Sequence, residues 1–254
     1  MLIEYEGTSY QGSQYQSTGT TIQYELERAI SNLTSESNRV ALAGRTDARV
    51  HASGQVASFL TKSPHSDSAF LTGLNHYLPE DIAVKKVVTL PENFDVRRNA
   101  RSRLYCYTIH NGYTPSPLRR NMSWHIRDPL NFMKMNTAAL ELMGEHDFSA
   151  FTNPSVAQNQ PTTRNVLGIN LSSKQQLIRI EIEANSFLTH QVRRTVGCLV
   201  AIGNNKMSVE DFRSMILLPV PGSAYITAPP QGLCLIRVRY DKDIFENGDK
   251  NENI

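Results

Sequence analysis

Short segments in which apolar and charged residues alternate with a period of two constrain the fold of this chain most strongly. In residues 178–183, three isoleucines fall on one side of an extended chain, and an arginine and two glutamates fall on the other. Residues 235–240 alternate in the same way. This pattern is typical of an antiparallel strand with one buried and one solvated face. The β-rich runs 55–59 and 105–109 predict two further strands.

Other segments have the spacing of helices. The apolar residues between Ile22 and Leu33 share one helix face, with Thr21 as the predicted N-cap. Residues 132–142 predict a second helix, closed by Gly144, and residues 188–200 predict a third. A capping box from Ser208 to Asp211 predicts the start of a fourth. Helices mixed with one-sided strands predict an α+β fold with antiparallel sheets rather than a doubly wound parallel sheet.

Length and charge bound the organisation of the chain. Its 254 residues suit one large domain or two small lobes. A break near residue 100 predicts an N-terminal lobe of residues 1–100 and a C-terminal lobe of residues 101–243. Residues 244–254 are polar and acidic, and we expect a disordered tail. From Asp241 onward, five acids and two lysines give a charge of −3, so the remainder carries +5 against +2 overall. This mildly basic body permits a polyanionic partner.

Cysteine use and the N-terminal sequence indicate the compartment. The three cysteines have no CxxC or metal-ligand spacing, and their odd number argues against a disulfide framework. The first residues lack the basic and apolar regions of a secretory signal, and no apolar run approaches the length of a membrane span. We therefore expect a cytoplasmic protein that does not associate with a membrane.

The first segment that can carry chemistry is residues 44–52, which read GRTDARVHA. Asp47 lies there between Arg45 and Arg49, in a short polar link between two apolar runs. Nearby cations favour the ionised carboxylate, and a positioned carboxylate can act as a nucleophile or a base. On composition alone, a turn aspartate in a surface ion pair is the alternative.

The second segment, residues 94–107, places four arginines within seven residues, followed by two tyrosines. Arginine binds phosphate, and a tyrosine ring can stack on an unstacked base. The alternative is a basic, solvated strand with tyrosines in the core.

The third segment, residues 187–197, predicts a helix on which Thr189, Arg193 and Gly197 share a stripe. A glycine there leaves room for a close neighbour, whereas an arginine on a solvated face is the alternative. The fourth segment, residues 228–235, reads as a turn that leads into an apolar strand.

Together and in this order, the four segments resemble the tRNA pseudouridine synthase A family. The family's GRTDAGVH[AG] motif corresponds to residues 44–52, and its R-x-Y-x-Y motif corresponds to residues 103–107. Its F-L-Y-H-x-V-R-x-x-V-G helix corresponds to residues 187–197, and its P-x-x-G-L-x-L strand to residues 229–235. The resemblance covers about residues 2–240. It implies two α+β lobes whose antiparallel sheets meet at a basic central cleft, in a homodimer that binds tRNA.

The resemblance also implies an activity, the isomerisation of uridine to pseudouridine in the anticodon stem-loop at positions 38–40, with no metal and no organic cofactor. Asp47 would be the catalytic carboxylate, either attacking the nucleotide or deprotonating the ribose. Tyr105 would stack on the freed base, and Arg193 would pair with Asp47. Arg45 would help to hold the flipped-out nucleotide. Further RNA contacts are expected from Arg49, Arg97, Arg98, Arg101, Arg103 and Arg194.

Several positions depart from the family pattern. Arg49 replaces a glycine, Ser13 replaces a tryptophan, and Thr189 replaces an aromatic residue. If position 49 needs a positive φ, a non-glycine residue there costs about 1 kcal/mol or more of folding free energy. Alternatively, Arg49 adds a contact to phosphate. These changes motivate the hypothesis of a divergent copy with a shifted tRNA preference.

Two other function classes remain as alternatives. One is a catalytically silent RNA-binding protein. The other is a metal-dependent hydrolase using Glu145, His146, Asp147 and Asp47, although adjacent residues on one segment do not converge easily on one ion.

Overall fold

The computed structural model describes residues 1–245, and the chain divides into two compact units. Unit 1 comprises Met1–Arg103 together with the chain from Leu235 onward, and unit 2 comprises Leu104–Cys234. The chain therefore returns to unit 1 at its last strand, whereas the C-terminal lobe predicted from the sequence runs from 101 to 243. Of the predicted acidic tail, residues 246–254 lie outside the described residues.

Strands and helices are interspersed along the described chain. The strands are β1 (Leu2–Tyr5), β2 (Ala41–Leu42), β3 (His51–Ser58), β4 (Ile82–Lys86), β5 (Ser102–Asn111), β6 (Trp124–Ile126), β7 (Gly144–Asp147), β8 (Thr163–Lys174), β9 (Leu177–Ala184) and β10 (Leu233–Arg239). The α-helices are α1 (Ile22–Thr34), α2 (Asp67–Tyr77), α3 (Phe132–Leu140), α4 (Pro154–Asn159), α5 (Gln191–Gly203) and α6 (Val209–Leu217).

In unit 1 the strands lie in the order β4–β1–β3–β10, with β2 beside β3, and β1 is antiparallel to both of its neighbours. Helix α1 buries the predicted apolar face, and the Thr21 side chain accepts a hydrogen bond from the Tyr24 amide, which confirms the N-cap. Leu33 packs on α2 at Gly73, where a Cβ would lie 2.6 Å from the leucine Cδ1.

In unit 2 the strands lie in the order β5–β9–β8–β7, and β6 pairs parallel with β5. Strands β8 and β9 form an antiparallel hairpin that turns at Gln175, which has a φ of 56°. The predicted alternation is confirmed on β9, because Ile178, Ile180 and Ile182 are buried and Arg179 is exposed. The prediction of an α+β fold with antiparallel sheet pairing is therefore confirmed, whereas the basic cleft stays a prediction.

Two predicted helices of unit 2 differ in detail. Helix α5 begins at Gln191, so Leu188 precedes it, and every α5 residue except Arg193 is buried. The helix is thus enclosed on nearly all sides, although the sequence indicated a single apolar face. Helix α3 ends at Leu140, and Gly144 starts β7 with a φ of 96°. The predicted capping box at the start of α6 is present. No helix within residues 1–245 is long and apolar enough to cross a membrane.

Candidate active site

The Asp47 segment is a loop between β2 and β3, and neutral polar side chains hold its backbone. The buried Gln55 side chain donates to the Gly44 carbonyl at 2.6 Å and accepts from the Gly44 amide at 3.0 Å. The Thr46 amide donates to Ser13 Oγ at 2.8 Å, and the Ser13 amide donates to the Thr46 carbonyl at 3.1 Å. Buried hydrogen bonds of this kind fix a loop because leaving any of these groups unpaired is costly.

Asp47 itself opens a turn that the Val50 amide closes on the Asp47 carbonyl at 3.2 Å. The Asp47 side chain is half-buried, and Arg45 and Arg49 on either side are exposed. The loop backbone is therefore held by buried neutral groups, while the carboxylate is partly accessible and both flanking cations are exposed. This is the arrangement that a positioned reactive carboxylate requires.

Arg49 occupies the left-handed region, with a φ of 65°, and its amide donates to the Tyr10 carbonyl at 3.1 Å. A non-glycine residue in this region costs about 1–2 kcal/mol. Within residues 1–245, its guanidinium makes no hydrogen bond or ion pair. The positive φ considered in the sequence analysis is thus present, and the arginine side chain extends from it into solvent.

His51 follows the loop and has a structural role. Its ring is buried, and Nδ1 accepts a hydrogen bond from the Gly7 amide at 3.0 Å. A Cβ on Gly7 would lie 2.0 Å from the Val50 carbonyl oxygen, so only glycine allows this approach. The sequence pattern alone did not identify Ser13 or Gln55 as supports of the loop. The available signal for Gln55 was its place in the interior of the β3 run, directly before Val56 and Ala57.

The four arginines of the basic segment have different surroundings. Arg97 and Arg98 are exposed, and Asp95 accepts from both of their amides, at 2.8 and 2.9 Å. Arg101 forms an ion pair with Asp241. Burial, followed by the charge of Arg97, lowers the pKa of Arg45, which places these two cations near each other within unit 1.

Arg103 lies inside unit 1. Its guanidinium donates to the carbonyls of Ala43 at 2.9 Å, Arg97 at 2.7 Å and Ala100 at 3.3 Å. It therefore ties the start of the Asp47 loop to the basic segment. The expectation of an RNA contact at Arg103 gains no support from this position, because its donors face backbone carbonyls.

Unit 2 carries the remaining predicted residues. Tyr105 is only 7% exposed, and its ring meets Phe187 edge-to-face at 5.2 Å between centroids. Arg193 Nε donates to the Ala228 carbonyl at 2.8 Å, and the Ala228 amide donates back to the Arg193 carbonyl at 3.0 Å. A Cβ on Gly197 would lie 2.1 Å from the Ile226 carbonyl oxygen. The close neighbour predicted beside this glycine is therefore confirmed as the segment 226–228.

Arg194 is buried, unlike its neighbour Arg193. It donates to the Thr152 carbonyl at 2.8 Å and to Asn153 Oδ1, and burial lowers its pKa. Its Nε has no partner in the described chain. Arg194 thus anchors the loop 152–153 to α5, and the predicted RNA contact at this residue gains no support from its position.

The fourth sequence segment, residues 228–235, packs against the Tyr107 side chain. Burial raises the pKa of Tyr107, and its hydroxyl donates to the Pro229 carbonyl at 2.7 Å. A Cβ on Gly232 would lie 2.5 Å from the Tyr107 ring. The proline and glycine of this segment therefore shape a turn around a core tyrosine.

The other chemistry-bearing groups do not form a second centre. Burial raises the pKa of the Cys106 thiol, and it raises the pKa of the Cys198 thiol to about 12. These two thiols are therefore poor nucleophiles near neutral pH. On β7, Glu145 and Asp147 are exposed on one face, and His146 lies on the other and contacts the Met143 carbonyl. Across residues 1–245, no three His, Cys, Asp or Glu side chains are grouped so as to hold a metal ion.

Comparison with known proteins gives the family. A family model described as tRNA pseudouridine synthase matches residues 1–98 and 138–241. The tRNA pseudouridine synthase A of Geobacter sulfurreducens is 41% identical over 240 residues, which cover 94% of this chain and 98% of the relative. That of Roseiflexus castenholzii is 39% identical over 247 residues, covering 96% and 90%.

The structural match to a solved Cbf5–Nop10–Gar1 complex has 11% sequence identity and covers 80% of this chain and 45% of that chain. Its TM-score of 0.36 is too low to support a conclusion about this chain. The family model and the two relatives suffice without it, because each spans most of the chain. The chain belongs to the tRNA pseudouridine synthase family, whose members are isomerases.

Proposed function

We propose that this chain isomerises uridine to pseudouridine in the anticodon stem-loop of tRNA, at positions 38–40, with Asp47 as its catalytic carboxylate. The observation that carries the proposal is the construction of the Asp47 loop. Gln55 and Ser13 hold the backbone just before the aspartate, at Gly44 and Thr46, and the Arg49 amide donates to the Tyr10 carbonyl just after it. The exposed residues Arg45 and Arg49 lie on the same loop. A carboxylate held in place between two cations is suited to act on an anionic RNA strand.

The reaction is an internal rearrangement. The bond between N1 and C1′ breaks, the uracil turns, and a bond forms between C5 and C1′. The C5 proton is lost and N1 gains a proton, so the atoms balance without an oxidant, a reductant or a co-substrate. Asp47 either attacks the nucleotide or removes a ribose proton, and both routes need an ionised carboxylate. The target nucleotide must leave its stack to reach Asp47, and Arg45 is the proposed group that holds it there.

Unit 2 would supply Tyr105 and Arg193. Tyr105 is held edge-on against Phe187, so the orientation of its ring is defined before substrate binds. Arg193 is fixed through its Nε and its carbonyl to Ala228, and it is the one α5 residue that is not buried. We propose that Tyr105 contacts the freed base and that Arg193 keeps Asp47 ionised and oriented.

The arginines predicted to contact RNA differ in how accessible their guanidinium groups are. The exposed residues Arg49 and Arg97 support the proposal, because their guanidinium groups are accessible to phosphate. Arg98 is also exposed, but its Nε lies 3.6 Å from a carboxylate oxygen of Asp95. Arg101 is exposed but paired with Asp241, and RNA phosphate would have to compete with that carboxylate. We propose positioning rather than RNA-contact roles for Arg103 and Arg194.

The test is a map of pseudouridine, nucleotide by nucleotide, in unmodified tRNA transcripts incubated with wild type or Asp47→Asn. We expect pseudouridine at one or more of positions 38–40 with wild type and none with the variant. Pseudouridine at other positions would refute the anticodon assignment while leaving the activity. No pseudouridine despite tight binding by both proteins would refute the activity and favour a silent RNA-binding protein.

The departures at Ser13 and Arg49 lead us to propose a narrowed or shifted preference among the three positions. Efficient modification of all three by the wild type would contradict this.

We also propose a homodimer that acts in the cytosol. Sedimentation of the purified full chain would test the dimer, and a mass of one chain at micromolar concentration would contradict it.

A further inference from the structure

A basic and aromatic surface lies on unit 2, in the connection between β5 and β6. The stretch from Gly112 to Arg127, which ends one residue after β6, contains three arginines and no acidic residue, and Asp128 follows it. This stretch falls between the two parts of the chain that match the family model, residues 1–98 and 138–241. None of its three arginines is among the residues proposed for the catalytic chemistry. We call Tyr113, Arg119, Arg120 and Arg127 the β5–β6 surface.

The connection is held in a defined shape at its base. The Asn111 amide group donates to the carbonyls of Ile126 at 2.9 Å and Asp128 at 2.8 Å. The Gly112 amide donates to the Ile126 carbonyl at 3.1 Å, and His125 Nε2 donates to the Gly112 carbonyl at 2.8 Å. Both ends of the loop are therefore closed by hydrogen bonds, so its surface is formed before any ligand binds.

The arginines of this surface project outward. The Arg119 carbonyl accepts hydrogen bonds from Ser123 Oγ at 2.9 Å and from the Met122 amide at 3.0 Å. These bonds hold the backbone at Arg119, and the arginine side chain is exposed. Arg120 uses one donor on the Pro117 carbonyl at 3.0 Å. Neither guanidinium, nor that of Arg127, has a carboxylate partner within residues 1–245.

The aromatic part is ordered by one of the cations. The Arg127 guanidinium lies over the Tyr113 ring at 4.2 Å from its centroid, and the ring is 72% exposed. A cation–π contact of this kind holds the ring while its other face stays accessible. Arginine groups bind phosphate and exposed aromatic faces stack on bases, so the combination has the chemistry of an RNA-binding surface.

We propose that the β5–β6 surface is a second tRNA-binding surface, which binds substrate backbone through Arg119 and Arg120 and stacks a base or ribose on Tyr113. The inference rests on the proposed function for its ligand. Arginine and tyrosine are also common at protein interfaces, but three exposed arginines without a carboxylate partner in the described chain favour a polyanion. The surface holds no reactive group, so it contributes to binding and not to the chemical step.

The experiment compares Arg119→Ala/Arg120→Ala with the control Arg179→Ala/Arg213→Ala, which removes two exposed cations elsewhere on unit 2. The affinity for an unmodified tRNA transcript is measured over a series of salt concentrations. Loss of two phosphate contacts should weaken binding about tenfold near physiological salt and lower the salt slope by about one to two. KM should rise in parallel and kcat should stay unchanged, whereas the control should resemble wild type.

Trp124, the one tryptophan of the sequence, is on β6 and reports whether this region is still folded. Its emission should be unchanged in the double variant without RNA. A further pair separates stacking from charge, because Tyr113→Phe should bind as wild type and Tyr113→Ala should bind several-fold more weakly.

Wild-type affinity and salt slope in a folded double variant would overturn the inference. So would an altered sedimentation mass with unchanged RNA affinity, since the surface would then join two copies of the chain. Absence of pseudouridine with wild type would refute the proposed function instead, because the binding comparison does not depend on turnover.

Discussion

The Asp47 loop of unit 1 and the start of α5 in unit 2 are built in opposite ways. In the loop, the neutral side chains of Ser13 and Gln55 hold the backbone, and the charged side chains extend from it. At the start of α5, by contrast, the buried Arg194 itself donates to the Thr152 carbonyl, so a charged side chain forms part of the support. Charged residues in a functional motif can thus be either the presented groups or the framework, and only their contacts distinguish the two. Variants in both regions separate presented charges from framework charges.

The α5 framework depends most on the missing side chain of Gly197. Gly197→Ala places a Cβ 2.1 Å from the Ile226 carbonyl oxygen, and both groups are backbone or attached to it. We expect the free energy of unfolding to fall by about 2–3 kcal/mol, as for overpacked cores. Denaturant unfolding measures this. Gly168→Ala is the control, since its Cβ would meet nothing within 4 Å. Equal stability of the two variants would contradict the close packing of α5 on 226–228.

Arg194 tests whether an arginine of the second motif is framework. Arg194→Met keeps most of the side-chain volume and leaves the Thr152 carbonyl and Asn153 without their donor. We expect a loss of about 1–3 kcal/mol of unfolding free energy, with the salt slope of tRNA binding unchanged. Equilibrium unfolding and salt-dependent binding give the two readouts. A stable variant with a weaker salt dependence would show that Arg194 contacts RNA instead.

Ser13 tests the neutral support of the Asp47 loop. Ser13→Ala leaves the Thr46 amide without its 2.8 Å acceptor. Because the loop then loses its fixed geometry next to Asp47, kcat should fall about tenfold or more, and KM should change less. Steady-state rates on a tRNA transcript measure both constants. Ser53→Ala, an exposed serine on β3, should behave as wild type. Unchanged kcat in Ser13→Ala would mean that the loop does not need this bond.

Arg49 should give the smallest effect, because it combines a backbone cost with an exposed cation. Arg49→Gly removes the cost of a φ of 65° and should raise the unfolding free energy by about 0.5–1 kcal/mol. The loss of one exposed cation should weaken tRNA binding a few-fold. Gln175→Gly, at a φ of 56° in the β8–β9 turn, should gain similar stability without a change in binding. Tighter binding by Arg49→Gly would contradict a phosphate contact at this residue.

The sequence predicted elements whose cause is local. The period of two on β9, the Thr21 cap and the Ser208–Asp211 capping box depend only on neighbouring residues, and all are present. The close approach at Gly197 was predicted for a similar reason, because the glycine shares a helix stripe with Arg193.

Features that depend on distant parts of the chain could not be predicted in this way. A run of arginines does not indicate that Arg103 turns inward to the Ala43 carbonyl, sixty residues away. The burial of α5 on nearly all sides also follows from its neighbours rather than from its own period. The roles of Ser13 and Gln55 became visible only when the loop that they support was placed beside them.

The most direct test of the account separates chemistry from binding at Asp47. Single-turnover conversion would be measured with excess enzyme on a tRNA transcript, for wild type and Asp47→Asn, with tRNA affinity measured in parallel. The exposed Asp243→Asn serves as the control. We predict that Asp47→Asn lowers the rate by at least about 10³-fold while affinity changes less than about threefold, because the carboxylate acts in the chemical step. Conversion by folded Asp47→Asn at a rate near that of wild type would contradict a catalytic role for Asp47.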